Sequence, residues 1–225
     1  MSDQSAKLEW RDEKIPVSTR FDDPYFSLDN GLNETRHVFL SGNNLPARFA
    51  PGFHIAELGF GTGLNLLAAW RAWEASGQDT PLRFTSFEAF PMEAEEMARA
   101  LTAFPEVAEY AVRLVDAWAQ DKTLTTLKGI DATVVLGDAR RTLAQQNWLA
   151  DAWFLDGFSP AKNPELWDED LMQQVGAHTK TGGTAATYTA AGFVRRNLEN
   201  AGFDVTRIQG FGRKRHMTTA LKAAK

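Results

Sequence analysis

From Phe53 onward the chain alternates short apolar runs with segments of helical periodicity. Phe53–Leu58 is a short apolar run that ends in Gly59-Phe60-Gly61-Thr62-Gly63. Leu64–Ser76 follows as a helix, apolar on most sides through its first turns and stopped near Gly77. Burial on all sides is what a helix lying on a central parallel sheet requires. Leu82–Glu88 is the next predicted strand. Pro91 then opens a helix carrying Met97, Leu101 and Phe104 at i, i+4 and i+7, which Pro105 interrupts. Val107, Ala111 and Leu114 predict a further helical piece. Two β-branched runs around Lys128-Gly129, within Thr123–Leu136, predict a hairpin feeding a strand that ends at Gly137-Asp138. Ala152–Leu155 is a strand ending at Asp156, and Pro164–His178 is a helix. Gly182-Gly183 precedes a strand over Thr184–Thr189, Phe193–Ala201 is a helix, and Asp204–Gln209 and His216–Lys222 are two late strands. Strands alternating with helices predict an α/β fold: a doubly wound, mostly parallel, Rossmann-like sheet with an antiparallel C-terminal edge. The first fifty residues read differently. Leu8–Val17 predicts a small hairpin, and Phe21-Asp22-Asp23-Pro24-Tyr25-Phe26 and Asp29-Asn30-Gly31 are turn signals. Residues 1–50 are therefore expected to form a β-rich extension packed on a domain spanning 51–225.

Length and composition narrow the class. A chain of 225 residues fits one large domain or one domain with a small appendage. An apolar content of 44% and a charged content of 24% are globular values, which excludes disorder and coiled coil. Apolar stretches are short and broken by glycine or charge, so no membrane span is expected. Met1–Trp10 is polar and acidic, unlike a signal peptide, so a cytoplasmic protein is expected. With no cysteine, disulfides, thiolate nucleophiles and most zinc sites are excluded. His37, His54, His178 and His216 match no metal spacing, and no metal is expected.

The glycine run carries the first chemistry. A strand-to-helix turn is where open α/β sheets bind ligands, and glycines there allow a tight turn and close approach to the ligand. A dinucleotide fingerprint, G-x-G-x-x-G, would need glycine where Leu64 stands. The spacing observed is G-x-G-x-G, with Glu57 two residues ahead of Gly59. That is the spacing of S-adenosylmethionine (SAM) enzymes, whose ligand has no pyrophosphate, and it selects Glu57, Gly59, Phe60, Gly61 and Gly63 as cofactor-binding residues. Three further acids fall at strand ends. Glu88, 25 residues past Gly63, is placed to accept both ribose hydroxyls, Asp138 to meet the adenine amine, and Asp156 ends the Trp153-Phe154-Leu155 strand. Any one of them alone would read as a solvated loop acid. Four on the carboxyl ends of successive strands read as a site.

Gly157-x-Ser159-x-Ala161 nearly matches a hydrolase nucleophile elbow. The residue after that serine must donate its backbone N–H to the oxyanion hole. Here it is Pro160, which has none, so the hydrolase reading fails. An acid, an aromatic and a proline beside the methyl donor remain, a pattern related to that of enzymes that methylate an amine attached to a base.

Longer strings carry a resemblance. These are Phe21-Asp22-Asp23-Pro24-Tyr25-Phe26-Ser27, Asn30-Gly31-Leu32, Glu34-Thr35-Arg36 and Gly59 to Asn65. With them go Trp153 to Pro164, Ala191 to Arg196, and Gly210-Phe211-Gly212-Arg213-Lys214-Arg215. Together they resemble the methyltransferase domains of bifunctional tRNA 5-methylaminomethyl-2-thiouridine biosynthesis proteins, the MnmC family, and their stand-alone homologues. The resemblance spans nearly the whole chain and is weakest between Pro105 and Asp131. It implies a class I SAM-dependent methyltransferase acting on the 5-aminomethyl group of a wobble uridine, with the tRNA anticodon loop as partner. In it, Asp156 is the catalytic residue that orients the amine or the SAM ammonium, and Phe158 stacks on the flipped-out uracil. Lys162 is implied to touch the anticodon-loop backbone, and Tyr25 and Asn30 to close over the cofactor. Bifunctional members continue into an FAD-dependent oxidase domain that makes the amine. This sequence has no second glycine fingerprint, so no FAD is expected in it, and the amine would come from such a domain or a separate enzyme.

From Gly192 to Lys225 eight lysines and arginines face two acids, in a chain of net charge −5. This local excess, including Arg195, Arg196, Arg213, Lys214 and Arg215, is the expected tRNA patch, against a bland alternative of a solvated basic face. Two rivals stay open: a SAM methyltransferase for a small-molecule or protein amine, and a non-catalytic tRNA-binding module.

Overall fold

The computed structural model describes residues 5–27 and 30–223; Asp29 of the expected turn and Lys225 of the basic count lie outside them. The chain opens with strands β1 (Leu8–Arg11), β2 (Ile15–Ser18) and the short β3 (Asp23–Pro24), which form a separate antiparallel sheet in that order. The expected hairpin is present. The rest of the first fifty residues is not β-rich, however: α1 (Gly31–Thr35) continues into a π-helical turn (Arg36–Leu40) and a 3₁₀ turn (Ser41–Asn43). Asn30, read as part of a turn, is the N-cap of α1, its side chain accepting from the Asn33 N–H. Leu32, Val38, Phe39 and Leu40 then bury themselves in the main core, so this segment is a wall of the domain.

Strands β4 (His54–Leu58), β5 (Leu82–Glu88), β6 (Leu124–Leu127), β7 (Ile130–Leu136), β8 (Ala150–Leu155), β9 (Thr179–Thr187), β10 (Phe203–Gln209) and β11 (His216–Lys222) form one sheet in the order β10-β11-β9-β8-β4-β5-β7-β6. The five central strands are parallel. β10 and β11 make the antiparallel edge expected from the sequence, and β6 adds an antiparallel strand at the other edge. Helices α2 (Leu64–Ala75), α3 (Ala94–Leu101) and α4 (Ala108–Gln120) cover one face, and α5 (Ala139–Thr142), α6 (Glu169–Ala177) and α7 (Gly192–Asn200) the other. Alternation along the strands feeds both cores: in β8, Ala152 and Phe154 join the first, Trp153 and Leu155 the second. None of the described helices is long and apolar enough to cross a membrane.

Two further boundaries differ from the pattern-based expectation. The helix expected over Pro164–His178 divides at Asp168, whose carboxylate accepts from Leu171 N and starts α6 afresh after a 3₁₀ turn (Pro164–Trp167). β9 starts at Thr179, before the glycines: its register against β8 shifts between Ala150 and Ala152, and Gly182 takes φ +75° in that irregularity.

Candidate functional site

Strands β8, β4, β5 and β7 are neighbours, so their C-terminal ends bring Asp156, Glu57, Glu88 and Asp138 to one edge of the sheet. A cavity of about 700 Å³ opens there, between the glycine turn, the β2–α1 segment, the segment following β8 and the β10–β11 loop. Gly59, Gly61 and Gly63 all have φ between +56° and +84°, in the left-handed region. A Cβ on Gly59 would lie 3.0 Å from the Asp156 carbonyl oxygen, and one on Gly61 3.2 Å from the Tyr25 ring. The turn is therefore pressed between the β8 loop and the N-terminal segment.

The acids differ in what they do. Glu57 is fully buried, its oxygens taken by Asn65 Nδ2 at 2.9 Å and Ser86 Oγ at 2.6 Å. Burial holds its carboxyl well above the usual range, against the pull of those two donors. Asn65 Nδ2 also donates to Asp156 Oδ2 at 2.8 Å, and Thr35 Oγ1 donates to Asn65 Oδ1 at 2.8 Å. One amide thus joins two carboxyl groups, its orientation set by a threonine hydroxyl. Asp156 Oδ1 accepts from Gly157 N, and burial pushes its carboxyl up to about 6. Glu88 accepts from Gly61 N at 2.9 Å and Phe90 N at 2.8 Å; burial raises its pKa and those backbone donors oppose the rise. Asp138 caps α5 and holds Arg140 in a two-pronged ion pair at 2.6–3.1 Å, which keeps its pKa low.

An aromatic wall closes one side. Phe21 stacks on Phe158 at 4.6 Å, Tyr25 meets Phe158 edge-on at 5.1 Å, and Phe90 meets Phe21 edge-on at 5.9 Å. Asp23 accepts from Ser159 N at 2.8 Å, which ties the N-terminal sheet to the segment after β8. Opposite, Lys214 pairs with Glu34 at 2.8 Å and lies 4.1 Å over the Tyr188 ring, whose hydroxyl donates to the Gly157 carbonyl at 2.7 Å.

The family model described as S-adenosyl-L-methionine-dependent methyltransferase matches residues 104–223, just over half of the chain. The chain belongs to the S-adenosyl-L-methionine-dependent methyltransferases. The crystal structure of MNMC2 from Aquifex aeolicus is similar to it with a TM-score of 0.75 and 28% identity, over 99% of this chain and 72% of that one. The resemblance to MnmC methyltransferase domains read from the sequence stands on these two findings. More remote are SAM-bound CalS10, an amino pentose methyltransferase from Micromonospora echinaspora, and an O-methyltransferase family protein from Burkholderia thailandensis. The first gives a TM-score of 0.47 and 11% identity, over 85% of this chain and 91% of that one. The second gives 0.48 and 10%, over 82% and 55%.

The residues of the methyltransferase fit its cofactor. Gly59 and Gly61 bring bare backbone to the cavity wall where a Cβ would press on the Asp156 carbonyl and the Tyr25 ring, and part-buried carboxyl groups and aromatic rings suit a cationic, partly apolar ligand. The cavity volume lies in the range of small-molecule sites. Tyr25, Gly59, Phe60, Gly61, Glu88, Asp138, Asp156, Phe158, Arg213 and Lys214 stand on the cavity wall.

Other residues singled out from the sequence do not. Asn30 caps α1, and Glu57 points into the Asn65–Ser86 network, so neither reaches the cavity. Gly63 is off the wall as well: a Cβ there would meet Leu114 at 2.6 Å, so its absent side chain serves helix packing. Lys162 bonds Asp22 and pairs with Asp23 at 3.8 Å, closing the N-terminal sheet onto the β8 segment. Arg195 and Arg196 lie on α7 and Arg215 at the far side of its loop, all away from the cavity. The three cations of that loop therefore do not project together, because Lys214 turns inward to Glu34. Asn65, Glu34, Asp23 and Tyr188 were not singled out as site residues. Asn65 carries a signal in its place two residues past Gly63, in the first turn of α2, whereas Glu34 is hidden by the unexpected helix α1.

Proposed function

We propose that the methyltransferase transfers the SAM methyl group to the primary amine of 5-aminomethyl-(2-thio)uridine at a tRNA wobble position, giving 5-methylaminomethyl-(2-thio)uridine. The observation carrying this reading is the Asp156–Phe158 segment. It sets a part-buried carboxyl group and an aromatic ring side by side on the cavity, against the glycine turn. SAM, when bound, supplies a methyl group made electrophilic by its sulfonium. Asp156, fixed by Asn65 and Gly157 N, holds the amine by a hydrogen bond with its lone pair free. As the N–C bond forms and the C–S bond breaks, the nitrogen becomes cationic and sheds one proton, which the Asp156 carboxylate takes up. Phe158, backed by Phe21, packs against the uracil. Positioning then supplies most of the rate. The similarity to MNMC2 supports this acceptor over a metabolite or protein amine. The anticodon loop is the partner, the amine is made by an FAD-dependent oxidase domain or a separate enzyme, and the reaction is cytoplasmic.

The test is nucleoside mass spectrometry of aminomethyl-bearing tRNA after incubation with SAM. The expected result is conversion of aminomethyl to methylaminomethyl nucleoside, abolished by Asp156→Ala. Label transferred from SAM to small amines or protein, with tRNA unchanged, overturns the acceptor.

A further inference from the structure

The cavity carries acids in its interior and four arginines at its mouth. Three of its acids sit inside: Glu88 and Asp156 are part-buried beside the glycine turn, and Glu34 is 12% exposed beneath Lys214, whereas Asp138 and Glu165 are more exposed and stand beside Arg140. Its arginines sit at the opening, where Arg20, Arg140, Arg141 and Arg213 line the mouth and are all exposed. They come from remote parts of the chain: the turn after β2, helix α5 and the β10–β11 loop. The acidic floor suits a sulfonium and an amine. It offers nothing to an anion, and an arginine rim offers nothing to either cation.

Arg140 is engaged by Asp138 and Glu165, which removes it from consideration. Arg20 holds its guanidinium carbon 4.5 Å from the Phe90 ring centre and 5.6 Å from that of Phe21. Ring contacts use the face of the guanidinium and leave its in-plane N–H donors for an acceptor. Among the described residues the guanidinium groups of Arg20 and Arg141 donate no hydrogen bond and form no ion pair; Arg141 gives its backbone N–H to the Asp138 carbonyl and acts on the Asp138 carboxylate only through its charge. Arg213 stands on the wall next to Lys214.

We infer that Arg20, Arg141 and Arg213 form a phosphate-binding rim on which a single-stranded RNA backbone runs while its target nucleotide enters the cavity. The inference rests on the RNA reading of the acceptor. A nucleotide turned into a cavity keeps its flanking phosphates at the mouth, because the sugar–phosphate chain is continuous. That is where these arginines are, whereas Arg195, Arg196 and Arg207 lie on α7 and β10, off the cavity wall.

The experiment measures binding of an aminomethyl-bearing anticodon stem-loop across a salt series. Wild type is compared with an Arg20/Arg141/Arg213→Ala variant, the matching triple-Lys variant, and an Arg195/Arg196/Arg207→Ala variant. Each phosphate neutralised on a single strand contributes about 0.7 to the slope of log affinity against log salt, so the rim alanine variant should flatten the slope by roughly 2. Lysines should restore the slope, and the α7/β10 variant should match wild type. Single alanines, each expected to remove about 0.7, serve if the triple variant does not fold. A rim variant with the wild-type slope overturns the rim alone, as does loss of slope confined to the α7/β10 variant. A wild type that binds no stem-loop overturns the RNA reading, and the rim with it.

Discussion

Replacing Asn65 by Leu keeps the side chain's branching and heavy-atom count and removes every polar contact of the amide. Asn65 is 5% exposed, and its Nδ2 serves Glu57 at 2.9 Å and Asp156 at 2.8 Å. A hydrogen bond to a charged group is worth about 1.5–3 kcal/mol, so losing two would cost about 3–6 kcal/mol if both carboxyl groups stayed ionised. Glu57 already has its pKa raised by burial and can take up a proton, which leaves one orphaned carboxylate and a net loss of about 3 kcal/mol. For a domain of this size, that corresponds to a fall in Tm of about 6–12 °C at neutral pH, read by circular dichroism. SAM affinity should fall too, because Asp156 loses a donor that fixes its position. Asn65→Asp supplies the sign test by adding a third carboxyl group between two others. Its folded pKa must lie above its unfolded value, so the unfolded state releases the proton first and stability falls as pH rises past about 4. The Asp variant should therefore melt several degrees higher at pH 5 than at pH 8. A Leu variant within about 1 kcal/mol of wild type that binds SAM normally, or an Asp variant without that pH trend, would refute the bridging role.

Gly61→Val puts a β-branched side chain at φ +56° with its Cβ 3.2 Å from Tyr25; the fold should survive by circular dichroism while calorimetry shows SAM affinity reduced at least about tenfold. Asp156 has its carboxyl near 6, so single-turnover methyl transfer should rise through pH 5–7 as the carboxylate forms; Asp156→Asn should lower the rate by about 10²–10⁴ and flatten that limb. His54 is 1% exposed with its pKa lowered to about 4 by burial, so the unfolded chain binds a proton that the folded one refuses. Its contribution is intact above pH 6.5 and is lost progressively down to pH 4, by about 3 kcal/mol at most; a His54→Phe variant whose urea stability retains the full wild-type acid slope would contradict this assignment.

The parallel core was legible because each of its transitions is marked by a residue with one local meaning. Gly77 ends α2, Pro105 breaks the helix after Leu101, and Gly129 turns the β6–β7 hairpin. Residues with two local meanings were not resolved. Asn30-Gly31 serves equally as a turn or a helix start, and only the burial of Leu32, Val38 and Phe39 against distant strands decides it. Gly182-Gly183 reads as a boundary and is a strand irregularity instead. The same limit applies at the site. That four acids gather at one sheet edge follows from strand order; Asp138 is then held locally by Arg140, but other directions depend on partners far away in sequence. Glu57 turns to Ser86, 29 residues on, and Lys214 turns to Glu34, 180 residues back.

The wall contributed by the first fifty residues also has a consequence for how the chain folds during synthesis. Asn43 is fully buried and is satisfied by the Trp153 carbonyl, 110 residues later, and the Thr184 hydroxyl, 141 residues later. Arg48 reaches the same threonine and the Asp151 carbonyl. At a translation rate of about 5–20 residues per second, Asn43 waits about 7–28 s for Thr184 to be made. For most of that interval Val38, Phe39 and Leu40 have no β8 to cover them, and until its end no β9. The nascent chain thus carries an uncovered apolar segment until late in the synthesis of this domain, an opportunity for chaperones and a hazard on crowded polysomes.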